Sequence, residues 1–100
     1  MSLYACSSNQ YILHELAQAL DHIKRIYSYA DMERKKYLQL NLKEKNDLLK
    51  GLAKEILIDL QHTPELYIGL DGKIKYLKDK NKVIVDNGAN KIFIITLNDN

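Results

Sequence analysis

Residues that announce chemistry are scarce in this chain of 100: one cysteine, one proline, four glycines, one phenylalanine and no tryptophan. A lone Cys6 excludes an intramolecular disulfide framework and fits a reducing compartment. No basic residue neighbours it in sequence, so a buried, inert thiol is expected rather than a nucleophile. Phosphate-loop and dinucleotide glycine patterns are missing, as are a serine triad and a cysteine cluster. These absences lean away from an enzyme and leave no cofactor and no metal to be expected.

Long apolar runs are missing too. None approaches the ~20 residues that cross a bilayer. The start, MSLYACSSNQ, has neither the basic beginning nor the apolar stretch of a secretory signal. A cytoplasmic protein without membrane association is the expectation. Nor does one sign of charge dominate. Fifteen Lys and Arg against 13 Asp and Glu leave a net +2, a weaker bias than dedicated nucleic-acid binders carry. What is present, 46% hydrophobic and 28% charged residues, suits one globular domain with one core.

The pattern predicts an α+β domain over residues 1–100, its helical part at 8–62 and its sheet part at 66–97. Leu13, Leu16, Leu20, Ile23 and Tyr27 recur at spacings of three and four, the stripe of an amphipathic helix that Ser7, Ser8 or Asn9 can cap. Continued past Ala30, that helix would carry Asp31 and Arg34 on its apolar stripe, so a break is expected near 28–31. A short helical piece is expected at 32–40. A second long helix opens on Asn41-Leu-Lys-Glu44, the spacing of a capping box. It carries Leu48, Leu49, Leu52, Ala53, Ile56 and Leu60 on one arc, and Pro64 ends the run. Beyond Pro64 the period becomes extended: ELYIGL, KIKYL, KVIVD and KIFIITL, separated by DG, KDKN and NGAN. Turn residues at that spacing predict a four-stranded antiparallel meander with the helices packed on one face.

Candidate functional residues are few. Alternation along KIKYL sends Lys73 and Lys75 to one face and Tyr76 to the core side, so the lysines and the tyrosine are not interleaved as a base-stacking platform. Lys73, Lys75, Lys82 and Lys91 remain candidates for non-specific phosphate contact, or form a solvated sheet edge that discourages aggregation. His14 and His22 share a helix but lie ~80° apart around it and ~12 Å along it, too far for one metal. Asp59 falls in the apolar arc of the last turn of the second helix, where the helix dipole disfavours a negative charge. A buried carboxylate paired with a sheet lysine is one reading of it; a helix end that faces solvent is the other and is preferred. Tyr11 and Tyr29 fall on the polar arc of the first helix, and exposed tyrosines are typical protein-contact residues. The run Ile92-Phe-Ile-Ile95 is apolar at both parities of a strand. Such a strand is covered on both faces or meets a protein partner, a second copy of the chain included, and Phe93 and Ile95 are its candidate contacts.

Two helices followed by a four-stranded antiparallel sheet resembles the element order of the RelE-like toxins and barnase-like ribonucleases, over most of the chain and with no shared sequence motif. The resemblance implies an RNA-binding or RNA-cleaving protein. Lys73, Lys75, Lys82 and Lys91 would then hold phosphate, and Tyr76 or Asp86 would handle protons. The predicted strands contain neither arginine nor histidine. The other reading is a small non-enzymatic binding module, a regulator, inhibitor or immunity-type protein acting through surface contacts. That reading accounts for the exposed tyrosines and the doubly apolar last strand, and it is preferred here.

Overall fold

A computed structural model describes residues 3–97. The element order is α1 (Leu3–Cys6), α2 (Gln10–Leu20), a 3-10 turn (Ile26–Ala30), α3 (Arg34–Leu38) and α4 (Leu42–Asp59). The strands β1 (Glu65–Ile68), β2 (Gly72–Leu77), β3 (Lys82–Asp86) and β4 (Ile92–Thr96) follow. The sheet is the expected antiparallel meander in the order β1-β2-β3-β4.

Local chemistry explains where the two main helices begin. The Asn9 side chain accepts the amide protons of Tyr11 and Ile12, which have no intrahelical acceptor in the first turn of α2. At α4 the capping box forms in both directions. The Glu44 amide donates to Asn41 Oδ1 at 2.8 Å and the Asn41 amide to Glu44 Oε1 at 2.9 Å.

The first helix ends earlier than its stripe suggests. Asp31, in the left-handed region at φ 56°, closes the 3-10 turn where a break is expected, but the α-helix has already stopped at Leu20. Residues 21–25 form a turn that ends on Arg25 at φ 61°. A tertiary contact overrides the helical period here. Ile23 lies against Gly72, whose missing side chain makes room for it. A Cβ there would stand 2.7 Å from Ile23 Cγ2. The Lys24 carbonyl accepts the Leu70 amide of the β1–β2 turn. In consequence Ile26, not Tyr27, is buried, and the half-buried Tyr27 packs its ring on Tyr37 at 5.3 Å.

One core lies between the helices and the inner face of the sheet. Leu16, Leu20, Ile56 and Leu57 meet Ile74, Val83, Val85 and Ile95, each 2% exposed or less. Burying one such side chain is worth about 1.5–3 kcal/mol relative to exposure. Cys6 belongs to the same core, at 1% exposure. Of the predicted arc of α4, Leu48 is only half-buried, while Leu57 is fully buried. The β1–β2 turn also differs from expectation. Gly72 is already in β2, paired with Ile68, and the left-handed residue is Gly69 at φ 68°. No helix among the described residues is long and apolar enough to cross a membrane.

Candidate functional site

Because side chains alternate along a strand, the pairing register fixes what the outer face of the sheet presents. Residues paired across that face are Glu65 with Lys75, Tyr67 with Lys73, Lys75 with Ile84, and Ile84 with Ile94. The β1–β2 half of the face carries a charged cluster, and the β3–β4 half has an apolar centre, Ile84 and Ile94, between Lys82 and Asp86.

On the charged half, Glu65 collects two donors and a second, more distant ammonium. The Tyr67 hydroxyl donates to it at 2.6 Å, Lys73 Nζ lies at 3.1 Å and Lys75 Nζ at 3.9 Å. Lys73 also stands over the Tyr67 ring, 5.7 Å from its centroid. The hydrogen bond from Tyr67, then that from Lys73, holds the Glu65 carboxyl below its usual range. The same contacts raise the Tyr67 phenol and the Lys73 ammonium. Two of the four candidate lysines thus have a carboxylate partner. Lys82 pairs with Leu77 and Thr96 at one end of the sheet. Lys91 precedes β4 at the other end, its carbonyl accepting the Asn87 amide. Residue 91 has the parity of Phe93, so it belongs to the helix side, and the four lysines do not converge.

A titration follows from the Glu65 cluster. Its folded carboxyl lies below the unfolded value, so its stabilisation is in place above the ordinary glutamate value of 4.5 and is lost as pH falls through the folded one. A proton-NMR titration is expected to find the Glu65 midpoint below that value. Tyr67→Phe should move it back up further than Lys73→Gln does. A Glu65 midpoint at or above 4.5 in the wild type would dismiss the cluster.

Asp59 is exposed, not buried, and its partner is a tyrosine rather than a sheet lysine. The Tyr29 hydroxyl donates to Asp59 Oδ2 across the gap between the 3-10 turn and the end of α4. The last turn stays packed through Ile56, Leu57 and Leu60, while Asp59 itself faces solvent. Tyr29 is accordingly half-buried against the core instead of displayed on a helix surface. Burial, then the bond to Asp59, pushes its phenol up. Tyr11 is displayed as expected, at 84% exposure.

The two candidate contacts on β4 sit on the inner side. Ile95 is buried in the core, and Phe93 packs against it and against the His22 ring at 4.9 Å. The exposed pair is Ile92 and Ile94, at 64% and 59% exposure. Only a comparison with β3 finds them, because Val83 and Val85 pair with Ile95 and Phe93 and pull those residues inward.

Beside β4 runs a groove of about 420 Å³, lined by Glu15, Gln18, Asp21 and His22 of the α2 side and by Phe93, Ile94 and Ile95. The two edges of the sheet differ. β1 is preceded by Pro64, carries the Glu65 cluster and packs against the 3-10 turn. Proline and charge are ordinary ways to keep an edge from pairing. β4, IFIIT, has neither. A second concavity, missed in the sequence because its residues are 46 positions apart at the extremes (24 to 70), is lined by Lys24, Arg25, Tyr27, Ser28, Arg34 and Leu70. Among the described residues no group of three or more His, Cys, Asp or Glu is placed to hold a metal ion. No protein-family model, curated protein or solved structure matches this chain.

Proposed function

We propose that this protein is a small binding module that works through surface contacts with another protein chain, as a regulator, inhibitor or immunity-type protein does, and not through catalysis. The observation that carries the reading is the β4 edge. It is an uncharged terminal strand of the sheet whose Ile92 and Ile94 are both more than half exposed. Water-exposed apolar side chains on a strand with free backbone groups favour a protein partner, which can supply a further strand as well as apolar cover. The RNA reading is less well supported, since Lys73 and Lys75 already share Glu65.

The test is capture from host lysate by the tagged chain, with and without ribonuclease. Bound protein is expected to survive ribonuclease and to be lost from the Ile92→Lys, Ile94→Lys double variant. Replacing Lys73, Lys75 and Lys82 together by glutamine should change nothing. Capture that disappears with ribonuclease, or with the lysine variant, would put RNA first.

A further inference from the structure

We infer that the partner of the β4 edge is a second copy of this chain, its β4 joined antiparallel to the first across a two-fold axis at Ile94. This rests on the reading of β4 as a protein-contact edge and names what occupies it.

Backbone geometry sets the register. The Leu97 amide donates to the Asn81 carbonyl and the Asn87 amide to the Lys91 carbonyl. Both bonds lie on the β3–β4 register that pairs Val83 with Ile95 and Val85 with Phe93. In an antiparallel ladder hydrogen-bonded and non-hydrogen-bonded pairs alternate, so residues 91, 93, 95 and 97 spend their amides and carbonyls on β3. Ile92, Ile94 and Thr96 aim theirs at the open edge. A two-fold axis at Ile94 sets Ile94 opposite its own copy and Ile92 opposite Thr96 of the copy. All three outward residues on each chain are then matched, with none left over. On the outer face the same axis joins the Ile84–Ile94 pair to its copy, giving one apolar stripe across the four central strands of an eight-stranded sheet.

Charge agrees with that register. Lys91 has the parity of the helix side, and the axis places it level with Leu97 of the other chain. His22, in the turn that follows α2, packs on Phe93, and Glu15 of α2 lines the same groove as Phe93 and Ile95. Lys91 of the second copy therefore arrives on the side of the sheet where Glu15 lines the groove beside β4. Neither Glu15 nor Lys91 has an ion-pair partner among the described residues. The two-fold forms the pair twice.

Sedimentation velocity at high micromolar concentration is expected to give twice the 11.6 kDa chain mass. Ile94→Lys puts two like charges on the axis and should weaken association at least tenfold, with an unchanged circular dichroism spectrum. Glu15→Lys and Lys91→Glu should each weaken it roughly 3- to 10-fold, as two exposed ion pairs suggest. The double exchange should restore it to within about threefold. Hydrogen exchange supplies a second readout. The amides of Ile92, Ile94 and Thr96 should gain protection with concentration, whereas those of Phe93 and Ile95 are protected at every concentration. A wild type that stays monomeric overturns the proposal, and so does a charge exchange that fails to restore a dimer. If the monomer still captures a different protein in a way Ile94→Lys abolishes, the edge reading stands and only the two-fold falls. A dimer indifferent to Ile94→Lys defeats both.

Discussion

Gly69→Ala is expected to destabilise the fold by about 2–5 kcal/mol. Two costs combine. Gly69 sits at φ 68°, a conformation that costs an L-residue ~1–2 kcal/mol. The added Cβ would also lie 2.1 Å from the Lys24 carbonyl oxygen, a backbone atom that cannot swing aside. The Leu70 amide donates to that same oxygen at 3.4 Å. Relief therefore requires the β1–β2 turn to part from the turn at 21–25, which exposes Ile23. Gly51→Ala is the internal control with the opposite sign. It lies inside α4, exposed, with nothing within 4 Å of a new Cβ. Alanine there should add up to about 1 kcal/mol through helix propensity alone. Urea unfolding of both variants measures the pair. Equal midpoints for Gly69→Ala and wild type would mean that the two turns are not locked together.

Leu57→Ala should cost about 2–5 kcal/mol, the range for emptying a core leucine site. Leu57 is 0% exposed and shares the core with Ile74, Val83 and Val85. Leu48→Ala, at a half-buried position on the same helix, should cost clearly less. For a domain whose whole stability is of order 5–15 kcal/mol, the Leu57 variant moves a large fraction of it. The denaturation midpoint should fall with an unchanged slope against urea, since the surface exposed on unfolding hardly differs. Should Leu48→Ala prove the more damaging, the packing of α4 on the sheet is rotated from the one described.

Features that rest on neighbours in the chain were legible in the sequence. Asn41 and Glu44 make their box from three residues of separation, Asn9 caps α2 within one turn, and Pro64 separates helices from strands. The meander followed from contrast between neighbouring residues. In Lys82-Val-Ile-Val-Asp86 the charged ends show which parity faces water. Tertiary structure alone decided the rest. The first helix stops at Leu20 because Ile23 and Lys24 are claimed by a hairpin turn more than forty residues away, a contact that no helical period encodes. The helical period puts Asp59 on the apolar arc but does not tell whether the end of that arc is covered, and Asp59 is exposed. β4 shows the limit most clearly. Ile-Phe-Ile-Ile is equally apolar at both parities, so alternation has no contrast from which to choose a face. The choice passed to β3, whose Val83 and Val85 fix the register, draw Phe93 and Ile95 inward, and leave Ile92 and Ile94 at the surface. Pairing with a neighbouring strand decided which isoleucines of β4 are exposed.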